Sequence, residues 1–221
     1  MKACLAAAVL GSIVISPAMA GAPAPAAAPT VHRVFDIMRS GSKIGTDTFD
    51  ISRQGDVTNV KIVTHVLVKI MFVNAYRYDH TESGTWKGSQ LVSFNSTTDD
   101  NGTNHEIAAT QAAGKVALDV DGTKTELPKG IVPASLFSAD VSNKSQLFDP
   151  GNGKRLSTKP KDLGEETVAV HGAPQTLRHL KLAGEFDRDL WFDKDGLVKM
   201  TLLGSDKSVI TSELRVSTAS R

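Results

Sequence analysis

VTNVKIVTHVLVKIM, residues 57–71, decides the fold class. Val60, Ile62, Val66, Val68 and Ile70 share one parity, and Asn59, Lys61, His65 and Lys69 share the other. In an extended chain successive side chains point to opposite faces, so this spacing predicts a strand with one apolar, buried face. Its many β-branched residues agree, because they pack well on a pleated surface and lose χ1 freedom in a helix.

Working outward, runs of the same kind fall at 31–38, 43–53, 72–82, 90–98 and 104–112, with a hairpin over 115–127 around Asp121-Gly122. Asp-Gly between alternating residues is a strong two-residue hairpin signal, because both turn positions want positive φ. Residues 133–139 are the best place for a short helix or crossover, since Pro133 is tolerated at a first helical position. Further strands are expected at 146–149, 154–158, 166–171, 175–182, 189–193, 197–203 and 208–216, separated by Gly, Asp and Asn turns. So many strands with almost no helix predict an all-β fold: a single curved antiparallel sheet forming a barrel or half-barrel. No linker-like stretch interrupts 31–221, which reads as one antiparallel β domain.

The residues before it read as an address. Lys2 supplies a positive start, residues 3–16 an apolar run too short to span a bilayer, and Ala18-Met19-Ala20 a cleavage site. Residues 1–20 are therefore expected to be a signal peptide cut after Ala20, directing the chain to the periplasm or outside, with no transmembrane segment left after cleavage. Residues 21–30 (GAPAPAAAPT) read as an Ala/Pro-rich flexible tether.

Removing 1–20 takes away Lys2 and the single Cys4, leaving 24 basic against 24 acidic groups and a cysteine-free chain. Thiol catalysis and Cys-ligated zinc are thereby excluded from the mature protein. Such a chain must be held by its core, and at this length roughly 70% of the unfolded surface is buried on folding. A neutral balance lacks the basic excess of a nucleic-acid binder, so no nucleic-acid partner is expected.

Several residue sets are candidate sites. Tyr76, Tyr78, His80 and Glu82 share one strand face by period 2, with Trp86 beyond them. His80 and Glu82, two apart, are suited to acid/base work through a water, although a half-exposed strand often carries such residues on its wetter face. His105-Glu106 and His65 add imidazoles on neighbouring strands, but no fixed metal-ligand spacing accompanies them. His171 and His179 flank a hairpin and are candidates for a cross-strand pair. Thr97 to Gly102 and Asp193 to Gly196 gather oxygen ligands before a glycine, yet the calcium-loop Glu is missing, Ala standing at 108, and ordinary turns use the same residues. No metal site, cofactor or catalytic residue is assigned. No G-x-S-x-G elbow or phosphate-binding glycine loop occurs.

Read together, Phe35 with Gly45-Thr46, Tyr76 to His80, Trp86-Lys87-Gly88 with Leu91, Thr98 to Gly102 and Leu190 to Asp193 before Gly196 resemble a family of uncharacterised secreted proteins, mainly of Gram-negative bacteria, known as a domain of unknown function. The chain departs from that pattern at Ser83-Gly84-Thr85, where Glu is expected directly before Trp. The resemblance implies a curved sheet similar to the half-barrels of periplasmic lipoprotein carriers, and it brings no catalytic residues.

The leading expectation is a binding or carrier module for an apolar, lipid-like small molecule, lined by Val60, Ile62, Val66, Val68, Tyr76 and Tyr78, with Trp86 and Trp191 at the rim. The alternatives are a secreted hydrolase using His80 and Glu82, and an envelope protein that pairs with a protein partner through an exposed sheet edge.

Overall fold

The computed structural model describes residues 29–71, 73–204 and 206–220. The expected signal peptide at 1–20, with Cys4, and the expected tether up to residue 28 lie outside the described residues, as does Phe72; Thr30 already belongs to the first strand.

Two antiparallel meanders join through the chain termini. The first comprises β1 (Thr30–Arg39), β2 (Ser42–Gln54), β3 (Val57–Ile70), β4 (Val73–Lys87), β5 (Gln90–Asp100), β6 (Thr103–Ala112), β7 (Lys115–Val120) and β8 (Thr123–Pro128). The second comprises β9 (Val132–Pro133), β10 (Gln146–Phe148), β11 (Arg155–Val170), β12 (Ala173–Gly184), β13 (Arg188–Asp193), β14 (Gly196–Leu203) and β15 (Val209–Ser220). β1 pairs with β15 from Thr30 opposite Ser220 to Arg39 opposite Ile210, so all fifteen strands form one sheet with β8 and β9 at its ends. Only β9 and β10 run parallel. The sheet curves without closing. Its ends approach each other where Ser96 of β5 donates to the Pro150 carbonyl (2.6 Å) and where Gly153 lies against the Val120 side chain.

The concave face carries the main core, including Phe35, Phe49, Ile62, Phe94, Phe148 and Leu190. A smaller cluster of Val170, Leu177, Trp191 and Val198 packs on the opposite face.

The expected strand pattern holds, with two corrections. Where a short helix or crossover is expected, 133–139 is a crossover that leads into α1 (Ala139–Ser142), a single turn. Pro133 is drawn into β9 opposite Phe148, and the Ala134 amide donates to the Phe148 carbonyl (2.9 Å); the chain then turns at Leu136, whose φ is positive (50°), so no helix begins before Ala139.

The runs expected at 154–158 and 166–171 are one strand, β11, bulged between Asp162 and Gly164. Pro160 is compatible with it because β10 covers only Arg155 to Ser157, leaving the rest of that side an open edge where a missing amide hydrogen breaks no ladder. Lastly, β4 runs to Lys87 instead of ending at Glu82. Gly84 does not turn the chain; a Cβ there would stand 2.4 Å from the Trp86 ring, so the glycine makes room for the indole within the strand.

Candidate functional site

Directly opposed residues of antiparallel strands project from the same face. The register places Asp47, Thr64, His80, Thr98 and His105 opposite one another on β2 to β6, forming a polar row across an otherwise apolar face. Thr64 Oγ1 donates to Asp47 Oδ1 (2.5 Å), and Ser212 of β15 donates to Asp47 Oδ2 (3.4 Å). His80 lies between Thr98 Oγ1, 2.8 Å from its Nδ1, and Glu82 Oε2, 3.1 Å from its Nε2. The Tyr78 ring stacks on the imidazole at 5.9 Å. His80 and Glu82 are only 5% and 3% exposed, and Glu82 Oε1 is buried with no hydrogen-bond partner.

Burial sets the electrostatics of this row. It pushes the Asp47 carboxyl above its ordinary range, outweighing the hydrogen bonds from Thr64 and Ser212 and the attraction of His80, and the neighbouring Glu82 adds to the rise. Burial likewise pushes the Tyr78 phenol upward, with Asp149 and Glu82 contributing, and partial burial together with Asp100 raises Tyr76.

Asp47, Thr64 and His80 of this row, with Glu82, form the floor of a cavity of about 370 Å³ on the concave face. Its walls are mainly apolar: Ile37, Phe49, Ile62, Val66, Leu136 and Met200. Ser135, whose buried hydroxyl also lacks a partner, stands on the crossover that covers the face. The antiparallel order puts the β1–β2, β3–β4 and β14–β15 turns at one end of the sheet. The half-buried lining residues Ile44, Leu202 and Ile210, with Tyr76, lie toward that end and mark the mouth. Met71, Val73, Leu203 and Val209 are exposed at the same end. Arg188, inside the mouth, stacks its guanidinium on Phe186 at 4.2 Å.

A larger groove of about 1120 Å³ lies near the opposite end, beside α1. Arg53, Arg178 and Lys194 alternate there with Asp140, Glu165 and Asp193, as on an ordinary solvated surface.

The structure brings Ile62, Val66, Tyr76 and Tyr78 together in the cavity wall, and His80 and Glu82 at its floor. Val60 is buried on the same face but deeper, and Val68 lies half-buried toward the mouth. The two tryptophans do not share a rim. Trp86 is fully buried in the main core against Phe137, with ring centroids 4.7 Å apart, whereas Trp191 belongs to the opposite face.

On that face His179 stacks on Trp191 at 4.6 Å and is held by Glu166 (2.7 Å) and Asp189 (2.9 Å). His171 sits apart from it, in the β11–β12 turn, near Glu213. His65 pairs with Asp79 (2.6 Å) and His105 with Asp121 (2.7 Å), so neither reaches the His80–Glu82 pair. Among the described residues no group of three His, Cys, Asp or Glu side chains is placed to hold a metal ion. The two oxygen-rich stretches are hairpin turns, with Asp99 accepting from the Gly102 amide and Asp193 from the amides of Asp195 and Gly196.

Sequence reasoning missed Asp47, Thr64, Ser212, Ser135 and Arg188. One signal was available: Asp47 shares the parity of Phe49 and Ile51, so an acid stands on an apolar strand face. Its partners require the register.

Residues 35–215 match the model of a domain of unknown function, DUF6134. No curated protein matches the chain. No helix among the described residues is long and apolar enough to cross a membrane.

Proposed function

The chain belongs to the DUF6134 family, a domain of unknown function, and on that premise we propose that it binds or carries an apolar, lipid-like small molecule. One observation carries this reading: a concave-face cavity of about 370 Å³, within the size of ordinary ligand pockets, with apolar walls and a few convergent polar groups at its floor. The exposed apolar residues at the mouth give such a ligand a path with little polar surface to cross. The protein would act in the periplasm or outside the cell, where the signal-like residues 1–20 would direct it. In this reading Ile62, Val66, Tyr76 and Tyr78 touch the ligand, Val68 guides its entry, and Val60 and Trp86 support the wall.

The hydrolase alternative has the His80–Glu82 contact in its favour. Against it, both ring nitrogens of His80 are already engaged, by Thr98 and Glu82, which leaves no lone pair directed at a substrate. Pairing of an envelope protein along the open edge of β8 or β11 is supported by no feature beyond the edge itself.

The test is extraction of lipids from protein purified from its host, followed by mass spectrometry, alongside displacement of a fluorescent apolar probe. A co-purifying amphiphile and saturable displacement are expected. Val66→Phe, which adds bulk to the cavity wall, should weaken probe binding about tenfold or more while leaving the fold intact by circular dichroism. Absence of any bound or displaceable ligand overturns the reading.

A further inference from the structure

Resting on that reading, we infer that the ligand enters head first and carries a hydrogen-bond-donating polar group, an alcohol or an amine, which seats on Glu82 at the cavity floor. Glu82 is 3% exposed and lines the cavity, and its Oε1 has no partner while Oε2 faces His80. A buried carboxylate oxygen without a partner loses the free energy of its hydration and regains it only from a donor. Among the described residues none donates to Oε1 of Glu82. The hydroxyls of Thr64 and Ser212 are directed at Asp47, and the His80 nitrogens are engaged by Thr98 and Glu82 Oε2.

The floor therefore presents an excess of acceptors: two carboxyl groups, Asp47 and Glu82, on the same face. An alcohol or amine complements it, whereas a carboxylate head would place a third acidic group in the same low-dielectric space. The hydroxyl of Ser135 lines the same cavity, is also unpartnered, and is able to accept from or donate to a polar head. Arg188, a cation that lines the cavity, is turned away from this role. Its guanidinium lies over the Phe186 ring and donates to the Asp187 carbonyl, so it favours a polar group at the mouth and not at the floor.

The experiment measures competition by decanol, decylamine, decanoate and methyl decanoate against one apolar fluorescent probe, using the full mature protein. These share an alkyl chain and differ in the head: donor, cationic donor, anion and acceptor only. Decanol and decylamine are expected to bind about tenfold more tightly than decanoate and methyl decanoate, the effect of one hydrogen bond to a charged group. Glu82→Gln should reduce that preference by a similar factor while decanoate holds or gains affinity. The comparison within the wild-type protein stands even if that variant fails to fold. Equal binding by all four heads overturns the inference and leaves the apolar-ligand reading intact. Tighter binding of decanoate, lost in Arg188→Ala, overturns it in favour of a head held at the mouth. No binding by any of the four overturns both.

Discussion

Asp47 is a carboxyl set on an apolar strand face, and its titration is opposite in sign to that of the acids on the surface. Burial raises its folded value above the ordinary 3.8. As pH climbs from about 4 through the raised value, the unfolded state releases this proton first and the folded state is penalised, so this contribution makes stability fall as pH rises. Asp47→Asn keeps an acceptor for Thr64 and removes the charge. Urea unfolding should show the variant more stable than wild type at pH 8, on the order of 1 kcal/mol, with the difference closing toward pH 4. Parallel pH profiles would show that Asp47 stays ionised in the fold.

Asp206, in the β14–β15 turn, behaves the other way. The Ser208 hydroxyl and amide, and then Arg39, hold it at about 2. Its stabilising contribution is complete above the ordinary 3.8 and is lost as pH falls toward 2. Protection factors of the amides in this turn, at the cavity mouth, that is exchange rates corrected for the intrinsic pH dependence, should therefore fall between pH 4 and pH 2.

At the scale of the element, β4 joins two local requirements that a residue-by-residue reading separates. Tyr78, His80 and Glu82 line the cavity, and the same strand runs on to bury Trp86 completely. Gly84 between them permits it, since the indole lies where a Cβ would be. Gly84→Ala should cost about 1 to 3 kcal/mol through overpacking, read as a lowered urea midpoint with unchanged slope. A near-neutral outcome would mean that the ring has room to move. The alternation on this strand was legible as far as Glu82, because period 2 is a local property of the chain. Its continuation was not, because a glycine beside Ser and Thr carries the signature of a turn until the ring that occupies its space is known. β11 makes the same point: Pro160 and Gly164 suggest a break, and only the open edge beside them makes a continuous strand permissible.

For the whole molecule the decisive contact is between the first and last strands. β1 pairs with β15 along its length, and Arg33, 1% exposed on β1, donates to Asp193 Oδ2 (2.5 Å) and to the Leu197 carbonyl across the hairpin of β13 and β14. This charge-assisted link joins the two meanders beneath the cavity, so they should unfold as one unit. Arg33→Ala leaves Asp193 Oδ2 and the Leu197 carbonyl without this donor and should cost about 1.5 to 3 kcal/mol, measured by urea unfolding. Two separated transitions in the wild-type protein would contradict the coupling.

Strand identity, the Asp121-Gly122 hairpin and the curved all-β class were determined by the sequence itself, since alternation, β-branching and turn chemistry act between residues close along the chain. So was the common face of Tyr76, Tyr78, His80 and Glu82. Only the tertiary structure decided which parities of different strands meet. Register brought Asp47, Thr64 and Ser212 to His80 and Glu82, curvature enclosed the cavity above them, and the crossover placed Ser135 on its wall. It also sent Trp191 to the face opposite Trp86. The physical reason is that a side chain's face follows from its own strand, whereas its neighbours across the sheet depend on pairings between residues as far apart as β1 and β15, which no local pattern encodes.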